Sequence, residues 1–182
     1  RSTLFPYTTL FRSQPLCTAT GAGCNPQLLS AVDEVNDRQK LVIARKIEAY
    51  FSEQGGVSGK TLALWGLAFK ANTDDMREAP SLELIRYLTE RGMRVRAFDP
   101  VAGSNARRIL ADNPLVEICD DQYAPLEGAS ALAVVTEWNQ FRNPDFARIK
   151  KELQAPLLFD GRNLYSPQLM AAEGFAYFSV GR

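Results

Sequence analysis

A cluster of charged side chains lies in the stretch GLAFKANTDDMREAP, residues 66–80, directly after the apolar run TLALW. Its charged residues are Lys70, Asp74, Asp75, Arg77 and Glu78. Pro80 suits the first turn of a helix, and a helix N-terminus favours anions, so Lys70 and Arg77 could help to hold a phosphate there. The alternative is that both cations only neutralise the nearby acids on a solvated loop, where such pairs contribute ~0–1 kcal/mol.

A second apolar run ends in the segment FDGRN, in which Arg162 follows a turn glycine. Arginine can bind a phosphate or a carboxylate through two parallel hydrogen bonds, whereas lysine acts as a point charge. The alternative for Arg162 is an ion pair with Asp160. A third run ends in AFDP, and its Asp99 could serve a ligand or cap the following helix, so its role stays open at this point.

The elements that would position these residues alternate between short apolar runs and helical segments from about Lys60 to Arg182. Strands this apolar are covered on both faces, so the pattern predicts an α/β fold with a mostly parallel sheet in a three-layer, Rossmann-like domain. Ligands of such sheets bind beyond the carboxyl ends of the strands. The rule selects three loops: residues 66–79, 99–104 and 160–163.

A long amphipathic helix is predicted ahead of this domain. Its apolar face comprises Leu28, Val32, Val35, Ile43, Ile47 and Tyr50. The helical pattern starts at Pro26 and ends at Gly55 and Gly56, where a left-handed backbone is easily adopted. A continuous helix of roughly 27 residues would be about 40 Å long. A helix of this length often links two domains or packs against its copy in a dimer.

The composition excludes several classes of protein. Lys and Arg total 21 and Asp and Glu total 21, so the net charge favours neither nucleic acid nor an anionic membrane. No apolar run approaches the ~20 residues that cross a bilayer. Histidine is absent, and Cys17, Cys24 and Cys119 lack metal-binding spacing, so we expect no metal site. A reduced, cytoplasmic protein is the simplest interpretation.

The opening segment RSTLFPYTTLFRS, residues 1–13, lacks the layout of a signal peptide, because its charges lie at both ends with no long apolar core between them. It resembles a translated adapter sequence left at the edge of an assembled gene fragment. The segment is therefore no part of the predicted fold. On this interpretation the native protein began further upstream, and the chain is a C-terminal fragment.

Several longer motifs carry a family resemblance: PQLLSAVDEVNDRQK, LWGLAFKANTDDMREAPSLELI, AFDPVA, VVTEWNQFRNPDF and LFDGRNLYSP. Together, from about Leu16 to Arg182, they resemble the C-terminal part of the UDP-glucose 6-dehydrogenases in the UDP-glucose/GDP-mannose dehydrogenase family. The resemblance implies an NAD-binding Rossmann domain, a central helical region that helps to build a homodimer, and a C-terminal UDP-sugar-binding domain. It divides this chain into the end of the central region, residues 14–56, and the UDP-sugar-binding domain, residues 57–182.

The resemblance also implies the reaction, a four-electron oxidation of UDP-glucose to UDP-glucuronate that reduces two NAD molecules through a cysteine thioester. In the family pattern the nucleophilic cysteine lies upstream of the matched region, and neither Cys17 nor Cys24 fits its motif. We therefore assign no catalytic residue here and expect the chain alone to be inactive, although the parent protein is an NAD-dependent enzyme. Ala71 stands where the family often has proline or lysine, a neutral departure.

Binding residues do carry over from the resemblance. Phe69 and Lys70 of GLAFK and Arg162 of FDGRN match residues that contact the UDP-sugar. Arg77 of DDMREAP matches a residue that reaches NAD from this domain. Two other functions stay open: a sister dehydrogenase of GDP-mannose or of a UDP-N-acetyl sugar, and an isolated non-catalytic nucleotide-binding module.

Overall fold

The structure is a computed structural model that describes residues 27–181. The adapter-like segment of residues 1–13 and the cysteines Cys17 and Cys24 lie outside the described residues, so their assignments stay predictions. Within residues 27–181, no helix is long and apolar enough to cross a membrane.

Helices and strands alternate through most of the described chain. The helices are α1 (Gln27–Lys40), α2 (Val42–Ser52), α3 (Pro80–Thr89), α4 (Gly103–Ile109), α5 (Phe146–Glu152) and α6 (Pro167–Ala172). The strands are β1 (Thr61–Trp65), β2 (Arg94–Phe98), β3 (Val116–Ile118), β4 (Ala131–Val134), β5 (Leu157–Asp160) and β6 (Ala176–Ser179). Two short 3-10 turns, Ala124–Leu126 and Asn139–Phe141, flank β4.

The six strands form one sheet in the order β3-β2-β1-β4-β5-β6, and every neighbouring pair is parallel. This is the strand order of a doubly wound Rossmann-type sheet. The predicted Rossmann-like fold with a mostly parallel sheet is therefore confirmed, and no pair within the described sheet is antiparallel.

Both faces of the sheet are covered, which gives the predicted three layers. Along β1, Leu62 and Leu64 point into one core with α2, α3 and α4, while Ala63 and Trp65 point into a second core with α5 and α6. Successive side chains of a strand point to opposite faces, so an entirely apolar β1 requires both cores. Trp65 is fully buried and stacks on Phe141.

The prediction of one continuous helix before the domain was wrong, because the chain forms α1 and α2 with an interruption at Leu41. There the amide of Leu41 donates to the carbonyl of Arg38, three residues back, at 3.3 Å, which is the bonding of a 3-10 turn. The second helix ends at Ser52, earlier than predicted, and the amide of Gly56 closes its end on the Phe51 carbonyl at 2.9 Å.

Helix α2 packs against the sheet that carries the candidate site. Its residues Ile43 and Ile47 are buried in the same core as the strands. Its polar face is also anchored, since Glu48 accepts hydrogen bonds from the Tyr87 hydroxyl and from the Arg91 guanidinium of the α3 region. The apolar residues predicted for the long helix therefore differ in burial. Ile43 and Ile47 of α2 are buried, whereas Val35 of α1 is 55% exposed. The predicted domain boundary at residue 57 stays a prediction.

Candidate functional site

The carboxyl ends of the central strands lie level at one edge of the sheet. Trp65 of β1 is paired in register with Phe98 of β2 and with Val134 of β4, and Val134 is paired with Asp160 of β5. The connections leave β1 toward β2 and β4 toward β5, so the strand order reverses between β1 and β4. Ligands of open α/β sheets bind at such a point. All three loops selected from the sequence begin here.

Gly66 allows the chain to leave β1 over the neighbouring strand. Its φ is +91°, in the left-handed region, and a Cβ built on it would lie 2.5 Å from the Cβ of Thr136. Its amide donates to the Phe98 carbonyl at 2.8 Å, and the Thr136 hydroxyl donates to the Ala68 carbonyl at 2.6 Å. Only glycine fits this close crossing, which fixes the direction in which residues 67–70 emerge.

Asp99, whose role the sequence left open, is 5% exposed and organises two loops. Its Oδ1 accepts from the amides of Val101 and Ala102 in the turn that leads into α4, so Asp99 holds this turn although the N-cap residue of α4 is Ala102. Its Oδ2 accepts from the amides of Leu67 and Ala68 at 2.7 and 3.0 Å. It also accepts from the indole Nε1 of Trp138 at 3.1 Å. Asp99 is therefore a structural residue that holds the loop after β1 in place.

Asp160 has a similar role at the end of β5. It is fully buried, its Oδ1 accepts from the Arg162 amide, and its Oδ2 accepts from the Tyr165 amide and the Tyr177 hydroxyl. Burial, with the negative charge of Asp160 nearby, raises the pKa of Tyr165 far above its ordinary value, so this tyrosine stays protonated. The acid shapes the turn from which Arg162 projects.

Arg162 joins three loops at the carboxyl edge. Its Nε donates to the Val135 carbonyl and its Nη2 donates to the Phe69 carbonyl, both at 2.9 Å. Its Nε also lies 3.1 Å from Oε2 of Glu137. The alternative of a side-chain ion pair with Asp160 was wrong, because the Arg162 side chain pairs with Glu137 and Arg162 donates only its backbone amide to Asp160.

Phe69, Lys70 and Arg162 are brought together by this arrangement. The Phe69 carbonyl accepts from Arg162, and Lys70 is the next residue along the chain. Both Phe69 and Lys70 are half-buried. All three residues therefore lie at the carboxyl edge of the sheet, where the fold class binds its ligands. These residues are the three that were predicted to contact the substrate.

Arg77 lies further along the same loop, beside Asp75. It pairs with Asp75 through two contacts, Nε to Oδ1 at 3.0 Å and Nη2 to Oδ2 at 2.8 Å. These hydrogen bonds lower the pKa of Asp75 below its ordinary value. The pairing is the one that the neutralising alternative expected, but the Arg77 side chain is 74% exposed. It borders an open cleft of about 480 Å³ between the loop and α4, lined in part by Asn105 and Arg108.

Cys119 does not provide a nucleophile. It is buried, and burial together with the nearby Glu117 carboxylate raises the pKa of its thiol. A thiol is reactive as the thiolate, so this environment disfavours covalent chemistry. Within residues 27–181 no group of histidine, cysteine, aspartate or glutamate side chains could hold a metal ion.

The fold and the cations at its carboxyl edge define the class of Rossmann-like α/β domains, whose ligands bind beyond the strand ends. A family model described as the UDP binding domain of the UDP-glucose/GDP-mannose dehydrogenase family matches residues 63–167. The chain belongs to this family. The match includes the β1 loop, Asp99 and Arg162.

Relatives and solved structures agree with this assignment. The chain is 48% identical over 171 residues to the UDP-glucose 6-dehydrogenase of Pseudomonas aeruginosa, covering 91% of this chain and 37% of that protein. A UDP-glucose 6-dehydrogenase of Bacillus subtilis is 38% identical, covering 90% of this chain and 34% of that protein. The structure of a UDP-glucose dehydrogenase from Pyrobaculum islandicum superposes with a TM-score of 0.72 at 29% identity, covering 90% of this chain and 34% of that one. The chain therefore spans about a third of the length of these relatives.

Proposed function

We propose that this chain is the UDP-sugar-binding part of a UDP-glucose 6-dehydrogenase. The observation that carries the proposal is the junction of Phe69, Lys70 and Arg162 at the carboxyl edge, at the strand-order reversal. The family model for a UDP binding domain and the names of the relatives support UDP-glucose as the ligand.

In this proposal Lys70 contacts the diphosphate as a point charge, and Phe69 lies against the same ligand. Arg162 contacts the sugar nucleotide while its hydrogen bonds to the Val135 and Phe69 carbonyls hold its guanidinium in place. A hydrogen bond to a charged group contributes ~1.5–3 kcal/mol. Loss of the Lys70 ammonium should therefore weaken binding by roughly one to two decades.

We propose further that the parent enzyme carries out the NAD-dependent oxidation of UDP-glucose to UDP-glucuronate. Arg77 would contact NAD from the open side of the loop. Its side chain is 74% exposed, so it could reach NAD once its ion pair with Asp75 rearranges, or while it keeps that pair and contacts NAD as well. The oxidation would require parts of the enzyme beyond these residues, since the chain spans about a third of the relatives and the environment of Cys119 disfavours a thiolate. Pairing of the parent protein through the α1 region as a homodimer is part of the same proposal.

Steady-state kinetics of the parent enzyme test the proposed contacts to the two ligands separately. Lys70→Ala should raise the KM for UDP-glucose by about tenfold or more and change the KM for NAD much less, as expected for one lost charged contact. Arg77→Ala should show its larger effect on NAD. Lys60→Ala, at the opposite end of β1, is the matched control. An unchanged KM for UDP-glucose in Lys70→Ala, or a pure sugar effect in Arg77→Ala, would show that the roles are misassigned.

The choice of sugar nucleotide needs its own measurement. The parent enzyme should oxidise UDP-glucose in preference to GDP-mannose and UDP-N-acetyl sugars when the products are compared. Reduction of NAD by the purified 182-residue chain would contradict the proposal that the chain only binds.

A further inference from the structure

Lys40, the last residue of α1, connects this helix to the loop that carries the predicted ligand contacts. Its Nζ donates to Oε2 of Glu78 at 2.7 Å and lies 3.2 Å from Oδ1 of Asp37. Its side chain is only 13% exposed. Burial alone would lower the pKa of Lys40, but the hydrogen bonds to Glu78 and Asp37 outweigh it and raise the pKa. The ammonium is therefore charged and held between two carboxylates.

Glu78 is an unusual residue for such a contact, because its backbone is in the left-handed region with φ +56°. A non-glycine residue persists in that conformation when the surrounding structure holds it there. Glu78 follows Arg77 directly and precedes Ala79, the N-cap residue of α3. Its side chain reaches back across 38 residues of sequence to Lys40. The contact therefore acts on the end of the loop of residues 66–79.

An ordinary surface ion pair does not have these features. Arg38 and Glu34 of the same helix form a pair within one helical turn, and their side chains are 64% and 73% exposed. Such exposed pairs contribute little to stability. Lys40 differs because its own side chain is mostly buried, although Glu78 and Asp37 are 56% and 74% exposed. It also has two partners and lies next to the interruption at Leu41.

We infer that Lys40 is a positioning residue that holds the loop of residues 66–79 in its ligand-binding conformation through Glu78. The link to ligand binding rests on the proposed function, whereas the effect on the loop does not. A change in the direction of α1 would then move Glu78, and with it the adjacent Arg77. The helix before the domain would in this way control the geometry of the site.

Hydrogen exchange of the unliganded chain, followed by NMR, tests the effect on the loop. The amides of Phe69 and Ala79 report it, because they are bonded within the loop to the carbonyls of Asp75 and Met76. In Lys40→Met these amides should exchange about fivefold faster, equivalent to ~1 kcal/mol. In Lys40→Arg, which keeps the cation, they should stay within about twofold of the unaltered chain, a change of less than ~0.5 kcal/mol.

Controls separate a local effect from general destabilisation. The amide of Val135, bonded to the Trp65 carbonyl in the core of the sheet, should be unaffected in all variants. Arg38→Met, which breaks the exposed pair, should change none of these rates. Glu78→Asn should reproduce Lys40→Met, because asparagine tolerates the left-handed backbone but cannot reach Lys40.

Titration with UDP connects the loop to the ligand. Lys40→Met should bind UDP about fivefold more weakly, matching the change in exchange. Unchanged exchange at Phe69 and Ala79 in Lys40→Met would overturn the inference, as would equal acceleration at Val135. If the unaltered chain does not bind UDP, the proposed function fails, and the exchange rates still decide whether Lys40 positions the loop.

Discussion

Replacement of Asp99 by asparagine should break hydrogen bonds that hold together the loops of the site. The carboxylate of Asp99 accepts five N–H donors, two on Oδ1 and three on Oδ2, in a buried position. Asparagine has nearly the same shape but offers one acceptor oxygen and one NH2 group. Whichever way the amide turns, its NH2 group must face at least two N–H donors that then lack an acceptor.

The expected loss follows from those contacts. Hydrogen bonds to a charged group contribute ~1.5–3 kcal/mol each, and a buried donor left without a partner costs about 1–3 kcal/mol. Two lost contacts and the lost charge on the remaining ones should lower the free energy of unfolding by about 4 kcal/mol, at the upper end of single-residue effects. The total stability of a domain is only about 5–15 kcal/mol, so the change is easily measured.

The assay is urea denaturation of Asp99→Asn beside the unaltered chain, with Asp112→Asn as the matched control. Asp112 is exposed, and within the described residues it has no hydrogen bond or ion pair, so its replacement should change the free energy of unfolding by less than ~0.5 kcal/mol. If Asp99→Asn lost less than ~1 kcal/mol, the size of a typical single hydrogen bond, the reasoning that this carboxylate holds both loops would be refuted.

Three other changes test separate parts of the structure. Gly66→Ala should lower the free energy of unfolding by about 2–4 kcal/mol, because it combines a left-handed backbone with a Cβ 2.5 Å from Thr136; a near-neutral urea midpoint would contradict this. The hydrogen bond from Tyr87 lowers the pKa of Glu48 below 4.5, so its stabilising contribution should be present above pH 4.5 and disappear as the pH falls through the lowered pKa. Glu48→Gln should flatten the pH–stability curve below pH 4.5, and an unchanged slope there would contradict the stabilising role of the Glu48 carboxylate. Arg162→Lys should lower the free energy of unfolding by about 1–2 kcal/mol, since lysine cannot keep both carbonyl contacts. An unchanged melting temperature would argue against a stabilising role for these two hydrogen bonds.

Much of the fold could be predicted from the sequence, because the short apolar runs and helical segments each follow a local rule. The parallel sheet and the three loops at its carboxyl edge follow from those patterns and from the handed connections of α/β domains. The interruption at Leu41 could not be predicted in the same way. The amphipathic pattern is compatible with helix on both sides of it, and no glycine or proline marks the position.

The site could be predicted only in part, because its organising contacts join residues far apart in sequence. From the sequence, the carboxylate at the end of β2 could be expected to bond the nearby amides before α4, but its bonds to Leu67 and Ala68 depend on β2 lying beside β1. For Arg162, the position at the strand edge was predictable. Its carbonyl partners on the β1 and β4 loops were not, because local sequence indicates the nearer Asp160.

Calorimetric titration of the 182-residue chain with UDP tests the central proposal most directly. We expect saturable one-site binding that Lys70→Ala weakens by about tenfold, the effect of one lost charged contact, while Lys60→Ala leaves it unchanged. Absence of UDP binding by the folded chain, or equal affinity of the chain and Lys70→Ala, would contradict the account.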